Sequence, residues 1–124
     1  MKVMVLDDNP AILSMVTMML QTTYQDCQVV SGRNGEEGLA LLSRDEIRPD
    51  VILTNLRMPH MDGLKFMREV RDNTAWDQIR LVMMSALGTA EVVTQAASDG
   101  AEAFLSKPFT ISDLKSTVSQ LLDH

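Results

Sequence analysis

Four stretches of this sequence carry side chains able to act on a phosphoryl group, and each follows an apolar run. Asp7 and Asp8 follow Val3-Met4-Val5-Leu6, Asn55 follows Val51-Ile52-Leu53-Thr54, Ser85 follows Leu81-Val82-Met83-Met84, and Lys107 follows Ala103-Phe104-Leu105-Ser106. Adjacent carboxylates suit a hard divalent cation such as Mg²⁺, which takes few carboxylates and keeps several waters. A lysine neutralises phosphoryl charge and a hydroxyl donates to a phosphoryl oxygen. The nucleophile is the part out of place. The surroundings of residue 55 call for an aspartate, and the chain has a carboxamide. An amide oxygen carries no charge, and the group offers one neutral acceptor and two donors. Together the residues describe a metal-assisted phosphoryl-accepting site whose acceptor has lost its charge.

Such residues act together only if the fold gathers them. The apolar runs predict strands at Lys2–Leu6, Gln28–Ser31, Val51–Thr54, Leu81–Met84 and Ala103–Leu105. The first, third and fourth are nearly continuous in apolar residues, as strands buried on both faces of a parallel sheet are. Amphipathic segments lie between the runs. Asn9-Pro10 supplies a cap and a first-turn proline for a helix reaching about Thr22. Asn34 with Glu37 three positions on resembles a capping box. Further helices are expected over Leu64–Asp72, Ala90–Ser98 and Ser112–Leu122, with Ser112 as a cap and Gly100 as a left-handed residue at a helix end. Alternation of strands and helices implies a doubly wound α/β sheet. Its ligand site lies beyond the carboxyl ends of the strands, where Asp7, Asp8, Asn55, Ser85 and Lys107 all fall.

Composition narrows the class. A chain of 124 residues with 45 % apolar content fits one globular domain, here residues 1–124. A net charge of −6 argues against intrinsic binding to nucleic acid or anionic membrane. No apolar run approaches the roughly 18 residues of a membrane span, and the N-terminal run ends in two acids, unlike a signal peptide. Cys27 is the only cysteine, which excludes an internal disulfide and points to a reducing, cytoplasmic compartment.

Leu6-Asp7-Asp8-Asn9, Pro49-Asp50-Val51-Ile52-Leu53, Met58-Pro59-His60-Met61-Asp62-Gly63, Met84-Ser85-Ala86 and Phe104-Leu105-Ser106-Lys107-Pro108-Phe109 occur in this order at strand ends. Taken together they resemble a receiver domain of bacterial response regulators, the phosphoacceptor modules of two-component signalling, across essentially the whole chain. The resemblance implies a flavodoxin-like fold of five helices around five parallel strands in the order 2-1-3-4-5. It implies an aspartate at position 55 that attacks the phosphorus of a phosphohistidine. It implies Mg²⁺ held by Asp7, Asp8, the side chain at 55 and the backbone carbonyl of Arg57. Lys107 and Ser85 would each contact a phosphoryl oxygen, and Ser85 with Phe104 would form a switch pair. It also implies docking of a histidine kinase or histidine phosphotransfer protein on the first helix. An effector would bind the face made by the fourth helix, fifth strand and fifth helix, to which Glu102 and Lys115 would contribute.

Asn55 breaks this scheme at its centre, because an amide does not form an acyl phosphate by simple attack. The expected protein is a phosphorylation-deficient receiver, not an enzyme, that signals through protein contacts. Two histories produce such a chain: a natural pseudo-receiver, or an aspartate-to-asparagine change made to lock one state. The alternative function is a constitutive binding module. Enzyme readings are weaker. A flavin site needs a glycine- and hydroxyl-rich phosphate loop where Asp7-Asp8-Asn9-Pro10 stands. A haloacid-dehalogenase-like phosphatase needs two aspartates one residue apart, and Asn9 holds the second place.

Several residues have a plainer expectation. Arg57 is either a solvated loop cation or an internal partner for the acidic pair. Leu87 makes the pocket rim apolar. Met15 and Met18 fall off the core stripe of the first helix and are expected at its surface. Met58 and Met61 shape their loop, His60 is an exposed loop residue, and Trp76 lies in the connection before the fourth strand.

Overall fold

The structure, a computed structural model, describes residues 1–122; the last two residues of the expected domain lie outside it. Five strands alternate with five α-helices: β1 (Lys2–Leu6), α1 (Pro10–Thr23), β2 (Gln28–Gly32), α2 (Gly35–Leu42), β3 (Val51–Asn55), α3 (Gly63–Arg71), β4 (Arg80–Ser85), α4 (Ala90–Ser98), β5 (Ala103–Ser106) and α5 (Ile111–Leu122). A short 3₁₀ turn, Thr74–Trp76, precedes β4 and carries Trp76 in the expected connection. The sheet is parallel throughout, in the order β2-β1-β3-β4-β5. That is the doubly wound order of flavodoxin-like folds.

Side-chain alternation divides the interior into two cores. Val3, Val5, Val51, Leu53, Val82, Met84 and Leu105 face α1 and α5, meeting Val16, Leu20, Leu114 and Val118. Met4, Leu6, Ile52, Leu81 and Met83 face α2, α3 and α4, meeting Leu42, Phe66, Met67, Val70 and Ala96. Strands β1, β3 and β4 are therefore buried on both faces, as their apolar runs require. The edge strands β2 and β5 are more exposed and more polar.

The helix starts mostly follow the local sequence. Asn9 caps α1 by accepting from Ala11 N–H at 2.9 Å. Asn34 caps α2 by accepting from Glu37 N–H at 2.9 Å, while Glu37 reaches back to Arg33 N–H at 2.9 Å, one residue earlier than a capping box predicts. The cap of α5 is a correction: Ser112 lies inside the helix, and Thr110 is the capping residue. Thr110 Oγ1 accepts from Asp113 N–H at 3.0 Å, and Asp113 Oδ2 accepts from Thr110 N–H at 2.9 Å, a complete reciprocal box. Gly100 takes φ +117° just past α4, where Arg71 packs against its Cα. Both the left-handed backbone and the close contact require glycine there.

Candidate functional site

The acidic arm of the site begins where β1 ends. Asp7 N–H donates to Gly32 O at 3.1 Å, which pins the loop to the end of β2. Asp7 Oδ1 accepts from Asn9 N–H at 3.0 Å, so the residue that caps α1 also fixes this carboxylate. Asp7 is only 1 % exposed, and a carboxylate so buried needs a cation or donors around it. Asp8 is exposed beside it.

The basic arm comes from the far end of the chain. Lys107 N–H donates to Ser85 O at 2.9 Å, which continues the β4–β5 pairing by one step. From there Lys107 Nζ donates to Asp7 Oδ2 at 2.7 Å and to Asn55 Oδ1 at 3.0 Å. One ammonium thus joins the ends of β1, β3 and β5.

Asn55, the last residue of β3, uses both ends of its amide. Its oxygen accepts from Lys107. Its Nδ2 donates to the Arg57 carbonyl at 2.8 Å and points towards Asp8 Oδ1 at 3.5 Å, the limit of hydrogen-bonding distance. This direction is set by Lys107, because a turned amide would set two donors against each other. The loop after β3 is held by further contacts. Gly63 N–H donates to Leu56 O at 2.8 Å, and the Gly63 Cα lies against the Asn55 carbonyl so closely that any Cβ would overlap it. Gly35 N–H donates to Met61 O at 2.9 Å, tying the loop to the start of α2.

Ser85 ends β4, is 5 % exposed, and accepts from Leu87 N–H at 2.9 Å. Its hydroxyl hydrogen stays available to donate. Phe104 is half-buried against the core beneath α2, α3 and α4. The fold therefore brings Asp7, Asp8, Asn55, Ser85 and Lys107 to one end of the sheet. The Arg57 side chain is exposed and forms no ion pair among the described residues, so the solvated expectation describes it. Leu87, 40 % exposed, joins Arg57 and Glu91 in lining an open cleft beside α4. His60 is an exposed loop residue with φ +68°.

Tested as a magnesium position, the donor set is hard but short. Asp7, Asp8 and the Arg57 carbonyl are oxygen ligands of the kind Mg²⁺ takes. Among the described residues, no three His, Cys, Asp or Glu side chains converge as a metal group. Asn55 lies beside them and turns N–H groups, without a lone pair, towards two of the oxygens. The oxygens of Asp7, Asp8 and Arg57 fit the ion. The close approach of Gly63 and the Gly35–Met61 tie were not foreseen; the Asp62-Gly63 pair was the available signal for the first.

The sheet order and this polar cluster define a receiver fold of the flavodoxin-like type. The family model for the response regulator receiver domain matches residues 3–119, and the chain belongs to that family, the signalling modules of two-component systems. Receiver domains are signalling domains, generally not enzymes, and they typically bind Mg²⁺. The chain is 30 % identical over 121 residues to the DNA-binding dual master transcriptional regulator RpaA of Synechocystis, covering 98 % of this chain and 48 % of that protein. The chain thus spans about half the length of the curated relatives it matches. Among solved structures it is similar to the chemotaxis response regulator CheY4 of Vibrio cholerae, with TM-score 0.87, 29 % identity and 97 % of each chain covered. The receiver domain of sensor histidine kinase PA1611 from Pseudomonas aeruginosa shares the fold at TM-score 0.86 and 22 % identity, covering 99 % of this chain and 98 % of that one; its structure holds a magnesium ion coordinated in the active site cleft. No described helix is long and apolar enough to cross a membrane.

Proposed function

We propose that residues 1–124 form one receiver unit that signals through protein contacts while unable to take a phosphoryl group, because Asn55 stands at the phosphoacceptor position. The bonding of the Asn55 amide carries this reading. Its oxygen, neutral and already accepting from Lys107 at 3.0 Å, has neither the charge nor the freedom to attack phosphorus. Phosphoryl transfer depends on an in-line nucleophile and on neutralising charge over three equatorial oxygens. The second requirement retains its residues here, Lys107 and Ser85. The first does not.

Asp7, Asp8 and the Arg57 carbonyl would hold Mg²⁺, which when bound neutralises phosphoryl charge. The Asn55 N–H groups weaken that binding, since they donate to oxygens the ion needs. Ser85 and Phe104 form the switch pair. With no phosphoryl group to draw the Ser85 hydroxyl, the inactive arrangement dominates, and a partner selects the other only through differential affinity. The partners are a histidine kinase or histidine phosphotransfer protein at α1 and an effector protein at the α4–β5–α5 face. This domain binds neither nucleic acid nor membrane and works in the cytoplasm.

The test is intact mass after incubation with acetyl phosphate and Mg²⁺, on this chain and on Asn55→Asp. The expected outcome is one added phosphoryl on the aspartate form and none on the unaltered chain; a phosphoryl carried by the unaltered chain overturns the reading. A second reading, a constitutive binding module, is favoured by the mutual bonding of the polar network, in which Lys107 donates to both Asp7 and Asn55 and the Asn55 amide donates to the Arg57 carbonyl. Pull-down of partners by this chain and by phosphodonor-treated Asn55→Asp separates the two, since a constitutive module binds its partner equally well in both forms, whereas a receiver held inactive binds it better once phosphorylated.

A further inference from the structure

The loop that carries Asn55 and the first turn of α4 are walls of one open cleft, which runs between α3 and α4. Leu56, Leu64, Leu87 and Val92 give it an apolar lining around about 460 Å³, an ordinary size for a small-molecule site. Charges of both signs stand at the same cleft. Arg57 lies two residues after Asn55, and Glu91 lies in the first turn of α4. Neither forms an ion pair among the described residues, with the other or with any third group. Asp62, the remaining charge of the lining, uses Oδ1 to accept from Lys65 N–H at 2.8 Å.

We propose that this cleft binds a small zwitterion with an apolar body, the chemistry of a free apolar α-amino acid. The Arg57 guanidinium takes a carboxylate in a forked pair, the Glu91 carboxylate takes an ammonium, and the lining takes the side chain. An uncharged apolar molecule uses the lining alone, and an anion or a cation satisfies one wall only. A zwitterion satisfies both, and its zero net charge avoids the repulsion that a chain of −6 exerts on anions. Bound there, it joins the Asn55 loop to α4. On one wall the Arg57 carbonyl accepts from Asn55 Nδ2 at 2.8 Å. On the other, Leu87 N–H donates to Ser85 Oγ at 2.9 Å. Helix α4 has only Ala96 fully buried, so it is lightly held, and a ligand that fits one placement of the helix better shifts its population. Occupancy of the cleft thus moves α4 without a phosphoryl group. As a substitute for phosphorylation, and in that respect alone, this inference rests on the phosphoacceptor reading.

Titration of the isotope-labelled full chain with L-phenylalanine, followed by amide NMR, tests the proposal. The expected result is saturable shifts at Leu64, Leu87 and Val92 with a Kd of about 1 mM or tighter, reaching Ala96 on α4 and Phe104 on β5. Phenylpropanoate, which lacks the ammonium, and phenylethylamine, which lacks the carboxylate, each bind about fivefold or more weakly. Glycine, which lacks the apolar body, does not bind. Arg57→Gln weakens L-phenylalanine and phenylpropanoate but not phenylethylamine, and Glu91→Gln weakens L-phenylalanine and phenylethylamine but not phenylpropanoate. Glu69→Gln, outside the cleft, changes none of these. Asn55→Asp binds L-phenylalanine as the unaltered chain does, so a phosphoryl taken up by the unaltered chain ends the phosphoacceptor reading and leaves the binding site standing. No saturable shift up to about 20 mM overturns the proposal, and so does equal affinity for L-phenylalanine and its two singly charged analogues. Shifts confined to the lining residues overturn the action on α4.

Discussion

At the scale of single residues, the unusual feature is an amide that satisfies what a cation and a nucleophile would otherwise contest. Placing a carboxylate at position 55 has opposing effects. An aspartate at 55 gains attraction to Lys107, but that ammonium already balances Asp7. It also meets Asp7 and Asp8 as like charges; two unit charges about 5 Å apart interact by about 3 kcal/mol at an effective dielectric near 20. The Arg57 carbonyl loses its donor at 2.8 Å and faces an oxygen instead. Repulsion and the lost donor outweigh the added attraction, so metal-free Asn55→Asp should be less stable than this chain by about 1–3 kcal/mol. Urea titrations of both proteins in a chelating buffer measure the difference, and a more stable aspartate form contradicts the sign.

At the scale of elements, the loop after β3 is positioned by contacts that leave no room for side chains. Gly63 lies against the Asn55 carbonyl and starts α3. A methyl group there must push backbone away from backbone, which is costlier than displacing a flexible side chain. Gly63→Ala is expected to destabilise by about 3 kcal/mol, at the upper end for overpacking, and to move the Asn55 amide resonances. Thermal melts and amide NMR spectra check both effects, and a variant matching the parent in each argues against the contact. Strands β1, β3 and β4 were legible because long apolar runs leave few alternatives, and Asn9-Pro10 announced α1. The start of α5 was misplaced because Ser112 and Thr110 are both capping residue types. Thr110 prevails because Asp113 stands three positions after it and returns the bond. The site's membership was legible from strand ends. The direction of the Asn55 amide was not, since it is imposed by a lysine 52 positions away.

For the whole molecule, metal binding and folding are linked. A ligand that binds only the folded state stabilises it by RT ln(1 + [L]/Kd), about 2.7 kcal/mol at a hundred times Kd. With Asn55 donating N–H groups into the metal position, millimolar Mg²⁺ should leave the melting temperature of this chain nearly unchanged. The same Mg²⁺ should raise that of Asn55→Asp by several degrees, as a gain of 1–2 kcal/mol does in a domain of this size. Calorimetry with and without the ion distinguishes the cases, and equal shifts in both proteins would falsify the missing-ligand account.

The bond between Lys107 and Asp7 joins groups 100 positions apart, and β5 must be laid beside β4 before it can form. During synthesis, Asp7 emerges from the ribosome long before its counter-ion exists. Any arrangement that buries it earlier leaves a carboxylate without its cation. The pocket is thus completed only once β5 has been made, and a polypeptide stopped short of β5 lacks the Lys107 ammonium that balances its acidic floor.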